Sequence, residues 1–137
     1  MISSNHHSVS SSNILVLHED RRILESIRQA IGEKIGHKKA RLLDNTDPAR
    51  DAVAFATLNN ATGIERSIVF LSGIDALFEK ENSPLLDPRE KADIIRDHTR
   101  KIYMALTRVG EKLVIFCNRT ETEAVLRGRL RDSSDSR

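Results

Sequence analysis

The sequence predicts an α/β domain built on a mainly parallel sheet with helices on both faces. Two observations carry this. Short, largely apolar runs at residues 13–17, 53–58 (apolar except for Thr57), 67–71 and 113–117 are what strands buried on both faces require. Most are separated by segments of helical period or by turn signals, and that alternation is the pattern of strand–helix–strand units. At 137 residues the chain is long enough for one domain with a sizeable core and too short for two.

Residues 1–12 are polar and rich in serine, and they are read as a flexible tail before a domain over residues 13–131. His6 and His7 lie in that tail without third and fourth ligands, so no metal site is assigned. The first strand, residues 13–17, is followed by the turn His18-Glu19-Asp20 and by a helix of about three turns marked by Ile23, Leu24, Ile27 and Ile31. Arg41-Leu42-Leu43 is a short strand, and Asp47-Pro48 breaks the chain before the strand at residues 53–58. A polar connection leads to the strand at 67–71, and residues 73–80 form a short helix or turn. Asp87-Pro88-Arg89-Glu90 then starts a long helix, with Asp at the N-cap, Pro at the first helical position and Glu at the third. Its apolar stripe runs through Ile95, His98, Ile102, Ala105, Leu106 and Val109. Gly110 is expected to stop it, and residues 113–117 to form a buried central strand. Thr120-Glu121-Thr122-Glu123 reads as a second capping box opening a last helix with Val125, Leu126 and Leu130, and residues 132–137 as a second tail.

The formal net charge is +2, which permits a phosphate-binding groove without announcing one. The single cysteine, Cys117, excludes a disulfide within the chain and reads as a buried core thiol. With no apolar run of membrane-spanning length and no signal-peptide pattern, the expected setting is reducing and cytoplasmic, with no membrane partner. In open parallel sheets function collects at the carboxyl ends of the strands, which here puts the connections 18–21, 59–66 and 72–80 forward.

Three pieces, in order, resemble the C-terminal half of a superfamily-one helicase of the UvrD/Rep type. Val53-Ala54-Phe55-Ala56-Thr57-Leu58-Asn59-Asn60-Ala61-Thr62-Gly63-Ile64-Glu65 is similar to that family's motif V, a strand followed by Thr-aliphatic-His-x-Ala-Lys-Gly-Leu-Glu. Ser67-Ile68-Val69-Phe70-Leu71-Ser72-Gly73 resembles the strand that follows it. Tyr103-Met104-Ala105-Leu106-Thr107-Arg108 is similar to motif VI, Tyr-Val-Ala-Leu-Thr-Arg.

The resemblance implies a RecA-like domain of the P-loop NTPase type, the second of a motor's two. It implies that Arg108 is an arginine finger for the γ-phosphate and that Glu65 faces the nucleotide sugar, with Gly63 allowing close backbone approach. Thr57, Asn59 and Asn60 become the candidates for contact with single-stranded DNA. Asn59 stands where the family has histidine, and Thr62 where it has a phosphate-pairing lysine. Val109-Gly110 follows motif VI where Ala-Arg or Ala-Lys is common.

No Gly-x-x-x-x-Gly-Lys-Ser/Thr phosphate loop occurs in the sequence. The domain therefore lacks its own phosphate loop. ATP and Mg²⁺ are expected only together with an N-terminal RecA-like domain of the same parent, and the chain alone is expected to be inactive. Two alternatives remain. One is a catalytically silent interaction domain derived from a helicase. The other is a receiver-like signalling module, suggested by the first strand and Glu19-Asp20 but lacking an Asp after Leu58 or Leu71.

Overall fold

The computed structural model describes residues 11–43, 49–61, 64–117 and 120–135. A five-stranded sheet holds β1 (Ile14–His18), β2 (Ala40–Leu42), β3 (Val53–Thr57), β4 (Arg66–Ser72) and β5 (Val109–Ile115). The order across it is β2-β3-β1-β4-β5, and every pairing is parallel. The α/β expectation with a parallel sheet therefore holds. Alternation along β1 explains the two layers. Leu15 and Leu17 enter one core with Ala54, Ala56, Val69 and Leu71, while Val16 enters a second with Val53 and Phe55.

The first core is closed by α2 (Ile74–Glu81), α3 (Pro88–Leu106) and α4 (Thr120–Asp135), through Ile74, Leu77, Ile102, Ala105 and Leu126. The second is closed by α1 (Arg21–Ile35), whose Leu24 is buried and whose Ile27 and Ile31 pack beside it. Among the described residues no helix is long and apolar enough to cross a membrane.

The start signal of α3 acts as read, whereas Thr120, read as opening a second capping box, is already the first residue of α4. The Asp87 carboxylate accepts from the Glu90 N–H at 2.8 Å, and Glu90 accepts from the Asp87 N–H at 3.1 Å, with Pro88 at the first position. The α3 stripe buries His98, Ile102 and Ala105. Truncating a fully buried isoleucine such as Ile102 costs about 2–5 kcal/mol. The exposed pairs Arg96–Asp93 and Arg100–Asp97 each contribute roughly 0.3–0.5 kcal/mol. Burial of the stripe, not surface pairing, holds α3 down.

The end of α3 departs from expectation. The helix stops at Leu106 with Thr107 as its C-cap, and Val109 opens β5 instead of closing the helical stripe. Gly110 lies inside β5, beside a register shift that puts Arg66 opposite Val109 but Ile68 opposite Lys112. A Cβ at Gly110 would stand 3.3 Å from the Arg66 carbonyl, so the glycine serves close strand approach at that bulge. β5 is an edge strand, not a central one, and Cys117 beyond it is only partly buried. Burial, with the nearby charges of Asp75 and Glu123, pushes its thiol pKa up. At the other end, α4 continues to Asp135, into the segment expected as a tail.

One buried polar cluster joins the three helices of the larger layer. The Glu81 carboxylate, 3 % exposed, lies 2.8 Å from His98 Nδ1 and accepts from both terminal nitrogens of Arg129. The Arg129 guanidinium also sits 4.5 Å above the Phe78 ring centroid. Burial by itself raises the Glu81 pKa, but hydrogen bonds and charge from Arg129 and His98 outweigh it and hold it below the usual 4.5. The unfolded chain thus takes up this proton at a higher pH than the folded one. The stability this contributes is present above the unfolded pKa and is lost as pH falls through the lowered folded value. Thermal melts from pH 7 down to pH 3 should show a steeper loss of stability for the parent than for Glu81→Gln. Parallel pH profiles for the two would contradict the coupling.

Candidate functional site

The candidate residues come to rest at opposite edges of the sheet. Thr57, half-buried, ends β3 and pairs in register with His18, which in turn pairs with Ser72. Those three residues form a row at the carboxyl edge. The chain then turns, with the Asn60 N–H donating to the Thr57 carbonyl at 3.0 Å. Leu58 and Ala61 are buried, which anchors the turn and leaves the side chains of Asn59 and Asn60 exposed. Gly63 lies outside the described residues.

At this edge the sequence reading passed over His18. It is 6 % exposed, and its ring lies against Gly73, where an added Cβ would come within 2.7 Å of it. Gly73 also has φ +83, so the position suits glycine on two counts. Nδ1 accepts from the Asp20 N–H at 2.8 Å, which leaves the proton of the neutral ring on Nε2. Burial lowers the His18 pKa, outweighing the raising effect of the Asp20 and Glu19 carboxylates.

Glu65 and Arg108 lie at the amino edge, about 20 Å away along the six steps of β4. The expectation that function collects at the carboxyl ends therefore covers Thr57, Asn59 and Asn60 but not this pair. A parallel strand must start at the amino edge. Glu65 immediately precedes β4 and Arg108 immediately precedes β5, so both belong there. The Arg66 N–H donates to the Arg108 carbonyl at 2.9 Å, which ties the two segments together.

The Arg108 guanidinium donates to Thr107 Oγ1, at 3.0 Å from Nη2 and 3.3 Å from Nε. The Thr107 hydroxyl spends its own proton on the Met104 carbonyl at 2.6 Å, so its lone pairs face the arginine. Among the described residues no carboxylate pairs with Arg108. Glu65 is exposed. No group of three or more His, Cys, Asp or Glu is set to hold a metal ion among the described residues.

Arg66 is the residue that sequence reasoning missed. Its Nη1 donates to the carbonyls of Ile14 at 3.2 Å and Ala52 at 3.1 Å, and its Nη2 to that of Ala49 at 2.9 Å. Burial lowers its pKa. Ala49 is fully buried and has φ +52, a conformation costly for a residue with a Cβ. The Arg66 bond to its carbonyl helps hold that turn. One side chain thus fastens the start of β1 and the approach to β3, while its backbone fixes the approach to β5. The signal was available: a lone arginine opening an otherwise apolar strand.

Arg66→Met keeps much of the side-chain bulk but leaves three carbonyls short of a charged donor. Its urea midpoint should correspond to a loss of roughly 3 kcal/mol. A loss below about 0.5 kcal/mol would remove Arg66 from this role. No family model matches the chain, and no curated protein matches it.

Proposed function

We propose that this chain is the C-terminal, RecA-like motor domain of an ATP-dependent DNA helicase of the UvrD/Rep type. The observation that carries the reading is the meeting of Glu65 and Arg108 at one sheet edge. The two motif-like segments lie far apart in sequence and are joined there by the Arg66–Arg108 backbone bond. A guanidinium-bearing residue and a carboxylate-bearing residue at one edge, joined through the backbone, suit a nucleotide held mainly by another domain. Arg108 offers a rigid fork of donors to phosphoryl oxygens, and Glu65 offers an acceptor for a sugar hydroxyl. The residues present therefore fit ATP as a ligand shared with an N-terminal RecA-like domain. When bound there with Mg²⁺, ATP supplies the phosphoryl group whose transfer drives movement along the strand.

Thr57, Asn59 and Asn60, at the far edge, are assigned to single-stranded DNA. Their hydroxyl and amide groups suit hydrogen bonds to phosphate and sugar, contacts that position a strand without reading its sequence. Separation by the length of β4 agrees with two ligands on two edges. It does not suit one ligand spanning both.

A catalytically silent, helicase-derived interaction domain is the second reading. It keeps the same core and is favoured by the missing phosphate loop. The receiver-like alternative fits less well. A flavodoxin-like sheet has the order 2-1-3-4-5, with β1 beside β2, whereas β1 here lies between β3 and β4.

The test uses the polypeptide that pairs this domain with a phosphate-loop domain. Arg108→Ala should lower DNA-stimulated ATP turnover by about 10³-fold or more with the fold intact, and Arg108→Lys should recover little of it. Near-normal turnover in Arg108→Ala would overturn the assignment and favour the silent domain. In the same protein, replacing Asn59 and Asn60 by Ala should weaken binding of a labelled oligo-dT several-fold without changing ATP affinity. Unchanged DNA binding would remove these two residues from the strand contact.

A further inference from the structure

The two faces of the sheet are unequally covered, and the uncovered part is a groove. Among the described residues three helices close one face, while α1 alone packs on the other, against β1, β2 and β3. Beside α1 lies an open apolar groove of about 590 Å³. Ile27, Ile31 and Ile35 of α1 form one wall, Val16 and Phe70 lie on the floor, and Phe116 stands at the β5 side. The Phe70 and Phe116 rings stack with centroids 6.0 Å apart. Parallel sheets are ordinarily buried on both faces, and among the described residues this half-face has no covering element.

We propose that the groove docks an amphipathic α-helix of a partner protein, with carboxylates at the end that lies over the amino edge of the sheet. Size, lining and charge point to this occupant. Two strands make a floor about 10 Å wide, the diameter of one helix. Small-molecule sites carry a few placed polar groups. Ser72 is the only polar residue among those lining this groove, and its hydroxyl is donated to the Leu17 carbonyl at 3.2 Å.

A second copy of the chain fits poorly, because a two-fold contact would set one groove against another with nothing to fill them. The rim is basic at one end. Lys34 shares the helical stripe of Ile27 and Ile31, near the end of α1 that returns to the amino edge. Lys112 is opposite Ile68 in register, so alternation puts it on the groove face of β5 toward the same edge, while Glu111 faces the other way. Both lysines are exposed. This docking surface is independent of the helicase reading and of Arg108.

The experiment is fluorescence anisotropy on the full chain with labelled synthetic helices of about 15 residues. One carries a leucine stripe and glutamates at one end, and its counterpart has lysines in place of the glutamates. The acidic helix is expected to bind about ten-fold tighter or more than the basic one. Phe116→Ser should weaken it by about ten-fold. Phe116 is 56 % exposed and its backbone N–H still reaches the Leu71 carbonyl, so this variant should fold, with circular dichroism and melting as controls. The double variant Lys34→Glu, Lys112→Glu should reverse the preference and needs no change to the apolar floor. Absence of binding by either helix would overturn the proposal, as would binding indifferent to both sets of substitutions. A dimer in sedimentation that Phe116→Ser dissolves would assign the face to a second copy instead.

Discussion

A parallel strand cannot turn directly into its neighbour. The chain must leave each strand at the carboxyl edge and return to the amino edge before it can pair again. In this protein that constraint sorts the whole molecule. Helices carry the chain back after β1 and β4, and short connections after β2 and β3, and each return brings a different segment to the amino edge. Residues preceding a strand therefore gather at one end and residues following a strand at the other. Glu65 and Arg108 meet because both precede strands, and Thr57, His18 and Ser72 form a row because each ends one.

Two charged side chains, Glu81 buried and Arg66 half-buried, secure this arrangement by different means. Among the described residues Arg66 has no carboxylate partner; its guanidinium donates to three carbonyls at the amino edge. It thereby resolves a deficit of donors and accepts desolvation of a charge in doing so. Glu81 is satisfied by Arg129 and His98, in a cluster that demands all three helices of the larger layer at once. Removing one member of such a cluster leaves an uncompensated charge, so it acts more as a condition on helix placement than as a simple source of stability.

The layer on the α1 side obeys the burial rule only in part. The apolar residues of β5 suggested a central strand, because a run without polar alternation signals burial on both faces. β5 is at the sheet's edge, and its α1-side face continues into the exposed Phe116. The pattern was sound as chemistry; apolar residues on an edge strand give the same sequence run as internal burial, so a single chain's sequence does not distinguish the two.

The strands, the α3 start at Asp87-Pro88-Glu90 and the division of apolar residues between two faces were set by local sequence, because period, proline geometry and capping act within a few residues. Tertiary structure alone decided the strand order, the edge position of β5, and the role of Gly110 at a bulge, not at a helix stop. It also decided the partners of Arg66, Glu81, His98 and Arg129. Each of these depends on which distant segments become neighbours, and the energy that selects them is shared among many buried contacts. Local sequence names the groups that must find partners; only the packed sheet and its layers settle which partners they are.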